Sequence, residues 1–172
     1  MAARIKWVER KFSFDSPAGM YPYILERLGG VSPRVEEIVK KLPEEKLTSR
    51  VNNSWSIKEH IGHITDLEAL HEKRLDQLLE RAEILLPADM TNEKTYLAEH
   101  NKTRIDALLS NLRESRLHFT SRLEKLDEQQ ILISALHTRL DKQMRVIDLA
   151  SFVAEHDDHH ITIIREIAET NK

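Results

Sequence analysis

The 172-residue chain has no cysteine, four glycines, five prolines and only 5% aromatic residues. Without thiols, a disulfide scaffold and a thiolate metal site are both excluded. So little glycine and proline excludes collagen-like and linker-like sequence. Long hydrophobic runs are missing too: charges interrupt every apolar stretch, and none approaches the roughly 18 residues of a membrane span. The segment from Met1 to Lys11 has no signal-peptide core. The expectation is a cytoplasmic protein with no membrane partner. Neither sign of charge dominates, with 26 Lys and Arg against 29 Asp and Glu, a net charge of −3. That balance argues against broad contact with phosphate backbones, and nucleic acid is not expected as a partner. No glycine-rich phosphate loop, nucleophile elbow or basic aromatic stripe is present.

What is abundant is charge, at 32% of residues, and histidine, at nine, three of them within the stretch from His156 to His160. High charge with little glycine and proline favours long amphipathic helices. Pro17 and Pro22 mark a first helix that runs to Leu28, breaks at Gly29-Gly30, resumes behind an N-cap at Ser32 with Pro33 at the first helical position, and ends at Pro43. Residues 44–53 read as a loop. Ser56-Ile57-Lys58-Glu59 is a capping box that opens a second helix to about Leu85, before Pro87. Thr91 caps a third helix to about Leu126. Residues 127–142 are less regular and carry no hairpin signal, and a fourth helix runs from about Met144 to Thr170. Four long helices in a chain of this length predict one all-α domain over residues 1–172, a four-helix bundle.

Helical periodicity of 3.6 residues divides the histidines. On the fourth helix, His156 and His160 lie one turn apart within the stripe Leu149, Phe152, Val153, Ile163, Ile164 and Ile167, with His159 at its edge. On the second helix, His60, His63 and His71 fall on or beside the stripe Ile57, Ile64, Leu67, Leu70 and Leu78. His100 and His118 fall off the third-helix stripe and read as solvated, whereas Asn101 and Arg116 face inward and need partners. His137 has no assigned role, and Trp55 reads as packing at a helix start. A polar ring buried without a partner costs a few kcal/mol, so several inward imidazoles from two helices need a common explanation. A divalent ion is the simplest: His at i and i+4 is metal-ligand spacing, and a third His from a facing helix leaves a coordination position open for water or substrate. A ferritin-like di-iron centre would use Glu68-x-x-His71 and Asp157-x-x-His160, but Glu68 reads as pointing away from its stripe and Asp157 as lying at the border. A metal-free bundle with hydrogen-bonded histidines is the remaining alternative.

The segment Asn53-Ser-Trp-Ser-Ile-Lys-Glu-His-Ile-Gly-His63 resembles the second-helix motif of the DinB/YfiT-like superfamily, and His156-Asp-Asp-His-His160 resembles its fourth-helix motif, His-x-x-His-His. The resemblance covers almost the whole chain, including the Asp89-Met-Thr-Asn segment. It implies a four-helix bundle of the DinB/YfiT-like type in which three histidines hold one divalent metal ion per chain, zinc or nickel, and a homodimer. Carried onto this sequence, the ligands are His63, His156 and His160. Met20, Tyr21 and Tyr23 are candidates for the dimer surface.

The expected function is a metal-dependent hydrolase acting on a small-molecule substrate with a water bound at the three-histidine site. The alternatives are a transferase of a low-molecular-weight thiol such as bacillithiol, with Arg74 or Arg116 near the pocket mouth, and a non-catalytic metal-binding stress-response module. Glu59, on the face of His63, is the first candidate for a catalytic carboxylate and Asp66 the second. Asp157 is a candidate for orienting a ligand from behind.

Overall fold

In the computed structural model, residues 4–51 and 54–170 are described. Asn53, at the head of the second-helix motif, lies outside them. Four helical limbs form the bundle. The first consists of α1 (Tyr21–Gly29) and α2 (Val31–Val39), followed by the short α3 (Glu44–Thr48). The second consists of α4 (Ile57–Asp66) and α5 (Glu68–Leu79), followed by the short α6 (Glu93–Leu97). The third and fourth are α7 (Ile105–Leu123) and α8 (Val146–Glu169). Both α7 and α8 pack against the first and the second limb. The first and second limbs therefore lie across the bundle from each other, as do the third and fourth, while the second and third are neighbours. Among the described residues, no helix is long and apolar enough to cross a membrane.

Several expected boundaries shift, each for a local reason. Gly30 keeps helical angles (φ −76°, ψ −4°) and its N–H bonds to the carbonyl of Glu26, so the first limb is articulated rather than broken by a loop. Ser32 lies inside α2 instead of capping it, and its hydroxyl donates to Glu36. Pro33 sits in the first turn, where a missing N–H costs little. The expected loop at 44–53 contains α3, which starts directly after Pro43. The second limb kinks at Leu67. Thr65 donates to the carbonyl of Ile61, a back-bond of the kind that bends helices. This limb ends at Leu79 rather than Leu85, with Arg81 left-handed at φ 58°. The third helix starts at Ile105, because Asn92 and Glu99 are both left-handed and isolate α6.

The less regular segment contributes to a hairpin, β1 (Ser134–His137) with β2 (Lys142–Arg145), antiparallel with Ala135 opposite Met144, and the fourth helix starts after it at Val146. Its turn carries no glycine, only Asp141 in a left-handed conformation (φ 50°), so the usual hairpin signal is missing. Leu136 on β1 exchanges backbone hydrogen bonds with residues 83–85 and ties down the chain leaving α5.

Two apolar cores fill the bundle. One gathers Leu28, Leu75, Phe119, Leu123, Met144 and Val153. The other gathers Val35, Ile57, Ile61, Leu112, Ile161 and Ile164. Along the second limb, α7 and α8, polar residues separate them: Glu68 and His71, Arg116, and His156, Asp157 and His160, all buried. Arg116, as expected, faces inward, and it approaches Glu68 and Asp157 at 2.8 Å each. Contrary to the sequence reading, the Glu68 side chain points into the bundle and Asp157 is fully buried. Leu67 interrupts the second limb between α4 and α5, whereas the sequence reading carried one periodicity through a single helix.

Candidate metal centre

The site is built from the start of α4. Ser56 accepts from the N–H of Glu59 (3.2 Å) and its own N–H donates to Glu59 Oε2 (2.9 Å), the predicted capping box. The Ser56 hydroxyl donates to Asn101 (2.6 Å), tying the helix start to the 3₁₀ turn ahead of the third limb. With its first turn fixed, α4 presents His60 and His63 to the interior. The long helix α8 presents His156 and His160 one turn apart, flanked by Phe152 and Val153 on one side and Ile164 on the other.

Of the inward histidines, the structure brings together His63, His156 and His160, with one nitrogen of each within 4.8 Å of the others. The Nε2 atoms of His156 and His160 are 3.1 Å apart. Two nitrogens each about 2.0–2.1 Å from a tetrahedral zinc ion would lie roughly 3.3 Å apart, so the pair fits a shared ion. Two bare lone pairs facing at this distance repel, and a cation between them removes that repulsion.

The surrounding bonds fix the tautomer of His63. Thr95 donates its one hydroxyl proton to Asp66 Oδ2 (2.9 Å), and its oxygen then accepts from His63 Nδ1–H (3.0 Å). His63 is left with Nε2 bare. His100 Nε2 also donates to Asp66 (2.8 Å). His60 Nδ1 lies 2.8 Å from His160 Nδ1. When His160 donates there, its Nε2 is free as a ligand atom, and His60 acts behind His160 rather than beside it. Orientation of a ligating histidine through its other nitrogen is the usual construction of such sites. His156 Nδ1 is buried and has no hydrogen-bond partner among the described residues.

The rings of His60, His63, His156 and His160 are neutral near pH 7, as ligation requires. Burial, reinforced by neighbouring histidines, lowers His60 to about 3 and puts His156 and His160 well below 6.5. Burial lowers His63 to about 4, although Asp66 pulls in the opposite direction.

The candidate carboxylates occupy different places. Glu59 is engaged at the helix end by Ser56 and by the guanidinium of Arg50. Burial alone would raise its carboxyl, but these bonds hold it below the ordinary value. Asp66 touches the cluster through Thr95. Burial raises its carboxyl and the bonds from His100 and Thr95 outweigh that, so it stays ionised. Asp157 faces Arg116, and burial pushes it up to about 7 against the pull of the guanidinium.

The cluster opens into a cavity of about 260 Å³. Trp55, read as simple packing, forms part of its wall, 4.6 Å from the His63 ring. Trp7, from a 3₁₀ turn ahead of the bundle, stands edge-on at 5.0 Å from His156. Sequence reasoning missed Thr95, Trp7 and two histidines. His100, expected to be solvated, is buried against α4, and a Cβ at Gly62 would come within 2.3 Å of its ring. A glycine between His60 and His63 in mid-helix was the available signal. His137, without an expected role, lines the cavity from β1. His118 is exposed as expected. Tyr21 is buried and donates to the carbonyl of Leu123, which removes it from the candidate dimer surface, whereas Met20 and Tyr23 are exposed.

The DinB superfamily model matches residues 28–164. The fold is similar to that of YfiT from Bacillus subtilis, described as a probable metal-dependent hydrolase with an unusual four-helix bundle topology. The TM-score is 0.79 at 18% identity, over 92% of this chain and 91% of that one. No curated protein gives a significant sequence match. With matched residues running from the first limb through the histidines of α8, the chain belongs to the DinB superfamily.

Proposed function

We propose that the protein is a metal-dependent hydrolase of small molecules, with one divalent ion, zinc or nickel, held by His63, His156 and His160. The observation that carries this reading is the convergence of three neutral, buried imidazoles, two with Nε2 atoms 3.1 Å apart, at the end of a cavity. A divalent ion at three nitrogens supplies Lewis acidity, polarising a carbonyl and bringing the ionisation of water near neutral pH. The chain's own residues set the stage. Asp66 acts as a positioning residue, holding His63 through Thr95, and His60 holds His160. Trp7 and Trp55 restrict water at the cluster. Among the described residues no hydrogen bond engages His159, which lines the same cavity. Burial lowers it to about 4, so it is neutral and offers a lone pair that orients an attacking water by a hydrogen bond. Glu59 serves the helix end in this scheme. A cytoplasmic location and a homodimer belong to the same proposal, and light scattering after size exclusion tests the latter.

The decisive experiment is elemental analysis of protein purified without a histidine tag, together with an ester and amide panel run beside a thiol-transfer panel. One ion per chain is expected, lost in His156→Ala and His160→Ala, with hydrolysis in the wild type. His159→Gln is expected to keep the ion and lose turnover about 100-fold or more. Full metal content in both alanine variants overturns the site. Thiol transfer without hydrolysis overturns the reaction.

A further inference from the structure

The cavity at the histidine cluster has a second polar end. Arg74 on α5 lines it with only 2% of its surface exposed. Its Nε donates to the carbonyl of Leu86 (2.9 Å), and among the described residues no carboxylate pairs with its charge. Arg116 provides the contrast within this molecule: equally buried, it has two carboxylates at 2.8 Å. Desolvating an ion costs several kcal/mol unless an opposite charge compensates. The cost at Arg74 is aggravated by a second cation, since burial and the nearby Arg139 together lower Arg74 to about 10, still charged at neutral pH. Arg139 is exposed and also lacks an ion-pair partner among the described residues.

His137 completes the group. Its Nδ1 accepts from the N–H of Leu140 (3.4 Å), so its proton sits on Nε2 as a neutral donor. Asp89 is an acid in the same wall, but its oxygens accept from Thr91 and from the N–H of Glu93 and are turned into that loop. A second cavity, of about 310 Å³, shares Arg74, His137 and Arg139 with the first, so this end opens outward. Along the second limb, His63 on α4 and Arg74 on α5 are separated by at most roughly 16 Å at 1.5 Å per helical residue. Two guanidinium groups and an N–H donor without a protein anion are the usual complement of a carboxylate or phosphate.

We propose that Arg74, Arg139 and His137 form an anion-binding subsite at the end of the cavity away from the three-histidine cluster, and that the substrate carries a carboxylate or phosphate held there while its reacting group lies at the histidines. The substrate assignment rests on the hydrolase reading; the subsite does not.

Both tryptophans of the chain, Trp7 and Trp55, line this cavity, which makes intrinsic fluorescence the natural readout. Metal-free and zinc-loaded protein is titrated with inorganic phosphate and with succinate, at ionic strength held constant with sodium chloride. Saturable binding is expected in both metal states, weakened about tenfold or more by Arg139→Gln and by Arg74→Gln. Arg113→Gln, at a surface pair with Glu36, is expected to leave it unchanged. Arg139 is exposed, so its variant carries the test if thermal melting shows that Arg74→Gln does not fold. The anion that binds more tightly assigns the substrate class. No saturable response to either anion overturns the subsite, as does binding confined to zinc-loaded protein and insensitive to Arg139→Gln. Metal content of the same samples separates the two proposals. Anion binding in a protein that never retains metal keeps the subsite and overturns the hydrolase, whereas metal without anion binding overturns only the subsite.

Discussion

At the scale of single residues, Thr95 is the most informative side chain. Because its one proton goes to Asp66, it accepts from His63 and thereby decides which nitrogen of that ring faces the cavity. Thr95→Val keeps the shape and removes the link. It is expected to weaken zinc binding about 10- to 100-fold in competition with a chromophoric chelator, the range for lost second-sphere partners. His137 gives a pH prediction. Burial, with Arg74 as the next cause, lowers it from 6.5 to about 4. Above about 6.5 folded and unfolded chains are both neutral there. Between about 6.5 and 4 only the unfolded chain binds the proton, so stability falls as pH falls through this window. In urea unfolding of metal-free protein, His137→Gln is expected to reduce the slope of stability against pH by up to about 1.4 kcal/mol per unit in that range. An unchanged slope would show that His137 is protonated in the fold.

At the scale of elements, the close approach of α4 to His100 depends on Gly62. Alanine in mid-helix normally gains roughly 0.5–1 kcal/mol over glycine. Here the added Cβ would meet the His100 ring at 2.3 Å, so the sign reverses. Gly62→Ala is expected to destabilise by about 1–3 kcal/mol, the usual cost of overpacking. In Gly62→Ala/His100→Ala the glycine substitution should cost much less. A thermal-melt double-mutant cycle showing simple additivity would contradict the contact. The capping box at Ser56 was legible because both partners are local and three residues apart. The hairpin was not, because Asp141 adopts the left-handed turn conformation without the glycine that usually signals it.

Across the whole molecule, the polar residues between the two apolar cores are the exception to a bundle's usual interior. Glu68 and Asp157 share the single charge of Arg116. Removing one partner of such a group strands the others, at about 3–5 kcal/mol. Arg116→Met is therefore expected to cost that much in chemical denaturation, whereas Arg116→Met/Glu68→Gln/Asp157→Asn is expected to recover most of it. A triple variant no more stable than the single would place the cost in lost packing. The inward direction of Arg116 could be read from its helix stripe, but its partners could not. They come from α5 and α8, on two other limbs of the bundle.

The sequence by itself determined the helical class, the α4 cap, and the inward face shared by His156 and His160, because periodicity and capping depend on neighbours within one or two turns. Its motifs also named His63 ahead of His60. Tertiary structure decided what the histidines do to one another: which rings meet, that His60 stands behind His160, that Asp66 reaches His63 only through Thr95, and that Arg74 is buried beside Arg139 without a counter-ion. Those relations join residues from different limbs, and their distances and dielectric surroundings exist only once the bundle has closed.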